Sequence, residues 1–316
     1  MKAVAYTQSL AISNSQSLQD IELEQPSAAG HDILVKVNAI AVNPVDCKIR
    51  NNVAPAEGEH RVLGWDAVGE VVAIGEAVSY FNVGDKVYYA GDLNRQGCNA
   101  QFQLVDERIA AKKPTSLSDS EAAALPLTTI TAWELLFERL AIKQQQPDAK
   151  EQSNDVILIV GAAGGVGTTA IELGKLMGAR VIAAASSQEK LDLCKSLGAD
   201  EVINYSEVSL KDAIKELTDG KGVDVVYDPV GGDYAEPAIR GMAWNGRYLV
   251  IGFASGPIPQ IPLNLALLKG CSIVGVFWGR FTGEEPEQNL KNIEELWELF
   301  AAGKLSPVVT DSFSIE

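Results

Sequence analysis

The clearest chemistry in this chain lies in the run Gly161-Ala162-Ala163-Gly164-Gly165-Val166-Gly167. An apolar, β-branched stretch at 156–160 precedes it and a helix-compatible stretch follows from Thr168. A strand, a small-residue turn and a helix in that order are the setting in which glycines bind a dinucleotide. Gly164 lets the backbone come close to a pyrophosphate, and Gly167 lets the helix pack tightly on the strand. The free N–H groups at the helix start act with the helix dipole on the phosphate charge, and Gly165 and Val166 of the turn are counted among the cofactor-binding residues. Ala162 stands where the usual G-x-G-x-x-G has its first glycine. The flanks therefore carry this reading more than the pattern does. The alternative is a tight turn that binds nothing.

The end of the second strand separates the two common dinucleotides. An Asp or Glu there accepts hydrogen bonds from the ribose hydroxyls of NAD. Here the place is held by Ser186-Ser187, with Lys190 one helical turn on. A carboxylate would repel a 2′-phosphate, whereas a serine can donate a hydrogen bond and Lys190 offers a compact positive charge. NADPH is the expected cofactor. The alternative for Lys190 is an ordinary solvated lysine.

Other reactive residue types are sparse. The four cysteines, Cys47, Cys98, Cys194 and Cys271, form no C-x-x-C pair, and the two histidines, His31 and His60, lie in polar surroundings. Neither a zinc-finger spacing nor a disulfide framework fits, and free thiols suit a reducing cytoplasm. The formal charge of −16 disfavours nucleic acid and anionic membranes. No apolar run reaches the roughly 18–20 residues of a membrane helix, and MKAVAYTQSL has no apolar signal core. A cytoplasmic protein is expected.

These residues need elements to position them. At 316 residues the chain suggests about two domains. Its first third has short β-branched runs at 32–37, 69–74 and 82–89, the pattern of a compact barrel-like β domain. Ser118 and Glu121 stand as N-cap and capping-box partner of a helix, and 131–137 is helical in character. Residues 143–154 read as a polar loop. Strands at 156–160, 180–185, 201–204, 223–228, 247–252 and 271–277 then alternate with helices, including 188–197 and 287–302. This is a doubly wound α/β pattern, whose ligands bind beyond the carboxyl ends of the strands. The turns at 161–167, Ser186, 228–232 and 252–254 fall along one crevice. The strand 271–277 sits at the sheet edge, and its apolar residues Ile273, Val274, Val276 and Phe277 suit burial on both faces. Pairing with its own copy would give a homodimer.

Several segments resemble the zinc-independent quinone oxidoreductases of the medium-chain dehydrogenase/reductase superfamily. They are VNPVDCKIR (42–50), LGWDAVGEVV (63–72), GDKVYYAG (84–91), AALPLTTITAWELL (123–136), GAAGGVGTTAIELGK (161–175), GADEVINY (198–205), GVDVVYDPVGG (222–232) and GRYLVIGFASG (246–256). The first half also resembles the branch called "zinc-type alcohol dehydrogenase-like". The resemblance implies an α/β protein with a GroES-like β-rich catalytic domain at 1–122, to which 303–316 return. A Rossmann domain at 123–302 would follow. It implies that Ser186, Lys190 and Tyr205 surround the 2′-phosphate. Thr131, Val230, Gly252, Phe253 and Phe277 would approach the cofactor, and Asn43 and Asp46 would line the catalytic cleft.

Zinc relatives bind the metal with Cys, His and Cys. Here Asn43 stands at the first position, Trp65-Asp66 replaces His-Glu, and the third falls near Leu125-Pro126. Asn, Trp and Leu make no zinc site, so no metal is expected. Lys48 stands where many relatives carry a tyrosine. Relatives also continue past the equivalent of Ile315-Glu316. A shortened chain, or a first domain that closes differently, is expected.

The expected activity is NADPH-dependent reduction of a quinone or enone-type acceptor. Asn43, Arg50 and Lys48 are candidate donors to the developing oxyanion. The alternatives for them are a turn former before Pro44 and two solvated surface cations. Two other functions stand beside it: a 2-alkenal reductase on the same scaffold, and a non-enzymatic NADPH sensor.

Overall fold

The computed structural model describes residues 1–134, 136 and 155–315. The expected loop at 143–154 and most of the later part of the helical stretch 131–137 lie outside the described residues. The chain divides into two compact units, one of Met1–Ile130 with Gly279–Glu316 and one of Thr131–Trp278.

The first unit is β-rich. Strands β1 (Lys2–Tyr6), β2 (Gln19–Glu22), β3 (Asp32–Ala41), β4 (Arg61–Val62), β5 (Asp66–Ile74), β6 (Lys86–Ala90), β7 (Phe102–Asp106) and β8 (Ala110–Lys112) form two antiparallel sheets. Their orders are β2-β1-β4 and β7-β3-β5-β6-β8. Ile33, Val35, Ala67, Val71, Val87 and Tyr89 meet in one core. Gly69 lets β3 and β5 approach, since a Cβ there would lie 2.2 Å from the Lys36 carbonyl oxygen. Helix α1 (Pro44–Asn52) follows β3 directly, and the buried Tyr6 hydroxyl pins its end by donating to the Val53 carbonyl at 2.6 Å. Helix α2 (Asp119–Ala123) starts as its sequence dictates: Ser118 Oγ accepts from the Glu121 N–H, and Glu121 accepts from the Ser118 N–H. Helix α3 (Pro126–Trp133) comes next.

The second unit is the doubly wound half. Strands β9 (Val156–Val160), β10 (Arg180–Ala185), β11 (Glu201–Asn204), β12 (Val223–Asp228), β13 (Met242–Val250) and β14 (Ser272–Gly275) form a parallel sheet of order β11-β10-β9-β12-β13-β14. β9 is central and buried from Ile157 to Val160, which explains its unbroken apolar run. Helices α4 (Gly165–Leu176), α5 (Gln188–Ser196), α6 (Leu210–Leu217), α7 (Ala235–Arg240) and α8 (Asn264–Lys269) connect the strands.

Two expectations need correction. β14 lies at the sheet edge, but in the single chain it is not buried on both faces. Ile273 is 44% exposed, and β13 is the only strand that pairs with β14 among the described residues. The final helices α9 (Trp278–Glu284) and α10 (Pro286–Ala301) fall mainly with the first unit. There Trp297 of α10 packs against Tyr88, with ring centroids 5.9 Å apart. The second unit therefore ends at Trp278, not at residue 302, and begins at Thr131 within α3.

Candidate functional site

The glycine turn of the second unit is built as a cradle. Gly161 takes φ +64°, and a Cβ on it would lie 2.5 Å from a Val230 methyl. Ala162 is buried, and its N–H donates to the Ala184 carbonyl at 3.0 Å, which ties the turn to β10. Gly164 is the N-cap of α4, extended at φ −80° and ψ 166°. A Cβ on Gly167 would stand 2.6 to 2.8 Å from the Ala162 backbone. That contact is the close helix–strand packing expected of this position. Gly165, Val166 and Gly167 fill the first turn of α4, where helical geometry leaves N–H groups without intrahelical acceptors. These groups and the helix dipole suit an anionic ligand.

The C-terminal ends of the neighbouring strands are stitched beside this turn. Both Val230 and Gly231 donate their N–H groups to Asp228 Oδ1 at 2.8 Å. The other Asp228 oxygen accepts from the Tyr248 hydroxyl. Ser255 Oγ donates to the Val230 carbonyl at 2.8 Å, so the loop holding Gly252 and Phe253 is fixed to the loop after β12. Phe253 lies against Gly231, where a Cβ would meet its ring at 2.8 Å.

At the end of β10, Lys190 Nζ donates to Ser186 Oγ at 3.3 Å. Burial raises the Tyr205 hydroxyl above its ordinary range, and the nearby Ser186 side chain opposes that rise. Ser206 Oγ donates to the Ser186 carbonyl at 3.2 Å. Three residues expected together are thus brought together: a hydroxyl, an ammonium and a phenol. Thr131 is buried in α3, and Phe277 is 61% exposed just beyond β14.

A separate polar cluster lies in the first unit. Asn43, Asp46, Arg50 and Asp66 are all buried. Asp46 accepts from the Asn43 N–H at 2.6 Å through one oxygen and from the Gly64 N–H at 2.9 Å through the other. This carboxylate bridges the start of α1 to the residue at φ +96° before Trp65. It organises backbone through both of its oxygens. Asn43 Nδ2 donates to Asp66 Oδ2 at 2.8 Å, and the Leu127 N–H donates to Asp66 Oδ1 at 2.8 Å. Burial pushes the Asp66 carboxyl up to about 7; these two hydrogen bonds oppose the rise and the nearby Asp46 charge adds to it. Burial also raises the Asp46 carboxyl and holds the Cys98 thiol well above its usual range.

Arg50 is not a solvated cation. Its Nη1 donates to the Leu10 carbonyl at 2.7 Å and its Nη2 to Asn51 Oδ1 at 2.6 Å. Lys48 is exposed. Sequence reasoning missed Asp66 as a member of this cluster, although an acidic residue inside the apolar run WDAVGEVV was a signal. It also missed Asp228 as the organiser of its turn. The signal there was an Asp directly before Pro229 and two glycines.

The zinc positions can be judged by their chemistry. Asn43 turns an N–H donor to Asp66, Trp65 is packed with Tyr6 and Leu63, and Leu125 is buried. None of these side chains suits a zinc ion. Among the described residues, no group of three or more His, Cys, Asp or Glu side chains is placed to hold a metal ion. No helix among them is long and apolar enough to cross a membrane.

Comparison with known proteins agrees with this architecture. Residues 29–115 match the alcohol dehydrogenase GroES-like domain, and residues 165–295 match the zinc-binding dehydrogenase family. The chain is 38% identical over 229 residues to a zinc-type alcohol dehydrogenase-like protein of Staphylococcus epidermidis, covering 72% of this chain and 66% of that protein. It is 31% identical over 294 residues to quinone oxidoreductase-like protein 2 of Bos taurus, covering 90% of this chain and 79% of that protein. The structure is similar to Escherichia coli quinone oxidoreductase complexed with NADPH, with a TM-score of 0.83 and 27% identity over 98% of this chain and 91% of that one. The chain spans about two thirds of the length of the Staphylococcus relative.

Proposed function

The chain belongs to the medium-chain dehydrogenase/reductase superfamily, among its quinone oxidoreductase-like members, and on that premise we propose that it reduces a quinone or another electron-poor double bond with NADPH, by direct hydride transfer and without zinc. The observation that carries this reading is the cluster of Ser186, Lys190 and Tyr205 beside the glycine turn, with no acidic residue at the end of β10. A 2′-phosphate would find one cation and two hydroxyls there. A Cβ on Gly167 would collide with the Ala162 backbone, so this glycine lets α4 start close against the end of β9, where its first N–H groups would meet a pyrophosphate.

Bound nicotinamide supplies the hydride. The residues of the chain bind, orient and stabilise charge. Gly165, Val166 and Gly167 offer N–H groups to the pyrophosphate, and Thr131, Val230 and Phe253 shape the rest of the cofactor site. One N–H of the Asn43 amide is spent on Asp66. The second is the donor for an acceptor oxygen as negative charge develops on it. Asp46 holds the Asn43 backbone, and Asp66 holds its side chain. Arg50 stays with Leu10 and Asn51, so its part is to fix α1, not to meet the acceptor. Quinones and enones are already electrophilic and need no Lewis acid, unlike a simple alcohol.

The deciding experiment follows NADPH consumption against a panel of quinones, enals and ketones, with NADH as control. Turnover of quinones or enones but not simple ketones, and with NADPH over NADH, is expected. NADPH binding without turnover of any acceptor would reject the enzymatic reading in favour of a sensor.

A further inference from the structure

Tyr205 follows β11 and Tyr234 follows β12, and β10 and β9 lie between those two strands in the sheet. Three inter-strand steps amount to about 14 Å. Yet the two rings meet, with centroids 4.3 Å apart and planes tilted by 44°. Both pack on the same core, at the carboxyl end of the central strands. The Tyr205 N–H also donates to the Ala185 carbonyl at 3.2 Å, one residue before Ser186. Backbone and ring of Tyr205 are therefore held from two sides, and its hydroxyl is left at Ser186.

From this contact we infer that Tyr234 is a positioning residue: it holds the Tyr205 phenol beside Ser186 and Lys190 and so sets the preference for a cofactor with a phosphorylated ribose. The inference rests on the NADPH reading given above and adds a residue to it. A tyrosine ring free to turn would lose rotamer freedom each time it met the phosphate, and an aromatic neighbour removes that cost in advance. A tilted aromatic pair is the right size of interaction for the task. Burial, with Tyr234 beside it, raises the Tyr205 hydroxyl above 10, so it stays a protonated donor at neutral pH. Tyr234 need not touch the cofactor; it acts through Tyr205.

The test measures dissociation constants for NADPH and NADH in the full chain. The proteins are the wild type, Tyr234→Leu, Tyr234→Phe, Tyr205→Ala and the Tyr205→Ala/Tyr234→Leu double variant. Tyr234→Leu should weaken NADPH by roughly three- to tenfold and leave NADH unchanged. Tyr234→Phe, which keeps the ring contact, should stay within about twofold of wild type. In the Tyr205→Ala background, Tyr234→Leu should add nothing. Should Tyr234→Leu fail to fold, Tyr234→Met takes its place. An unchanged NADPH/NADH ratio, an equal loss for both cofactors, or a further loss in the Tyr205→Ala background would overturn the role of Tyr234 alone. A wild type without preference for NADPH would instead overturn the reading beneath it.

Discussion

Asn43 Nδ2 donates to Asp66 Oδ2 at 2.8 Å, and both side chains are buried. The amide of a candidate donor is thus oriented by a carboxylate 23 residues later in the chain. Replacing Asp66 by Asn keeps one acceptor for Asn43 and removes the charge.

That substitution has a defined pH signature. Burial raises Asp66 from 3.8 to about 7 in the folded protein. Below about pH 4 both folded and unfolded chains hold the proton, and this group's contribution to stability is complete. Between about 4 and 7 the folded chain keeps a proton that the unfolded chain has released, so stability falls as pH rises. Above about 7 the loss levels off. From pH 5 to 8 the wild type should lose about 3 kcal/mol relative to Asp66→Asn. Urea unfolding at the two pH values measures it, and a constant difference rejects it.

Cofactor choice should respond to a single lysine. Lys190→Ala removes the cation at Ser186 and should weaken NADPH by roughly 1–3 kcal/mol while sparing NADH. Titration by fluorescence distinguishes the cases. Equal weakening of both cofactors would place Lys190 away from the ribose phosphate.

Activity should survive metal removal. Protein purified without chelator should carry no stoichiometric zinc by elemental analysis, and added chelator should leave turnover intact. A bound zinc whose loss abolishes turnover would contradict the reading of Asn43, Trp65 and Leu125.

The sheet edge should form a homodimer. Ile273 on β14 and Phe277 just after it are exposed, and Trp244 on β13 and Leu267 on α8 are exposed in the same unit. Light scattering at micromolar concentration should give twice the chain mass, and Val274→Pro should halve it with the fold retained. A monomeric wild type would reject this surface as a self-interface.

What the sequence made legible follows from how local the cause is. The apolar run of β9, the Ser118–Glu121 box and the glycine turn are each set by residues within a few positions, and all lie where the pattern puts them. The edge place of the last strand was also legible, because alternating strands and helices leave few topologies. Long-range partnerships were not. Arg50 reads as a surface cation until Leu10, 40 residues away, takes its Nη1. Asp66 reads as one acid in a strand until Asn43 and Leu127 close over it. Tyr234 carries no local signal, since its partner Tyr205 sits just after a strand three places across the sheet. Helix α10 has the period of any amphipathic helix, and that period does not say which unit it will join.

Gly167 touches the Ala162 backbone so closely that α4 has no room to slide along β9. In hydrogen-exchange terms, the amides of the strand and of the first helical turns should open as one unit, at the free energy of unfolding the whole sheet. The turn's shape is then a by-product of folding, fixed before any anion arrives. A ligand bound there would report on the sheet's integrity: loosen β9 from a distance, and the shape of the turn would be lost together with it.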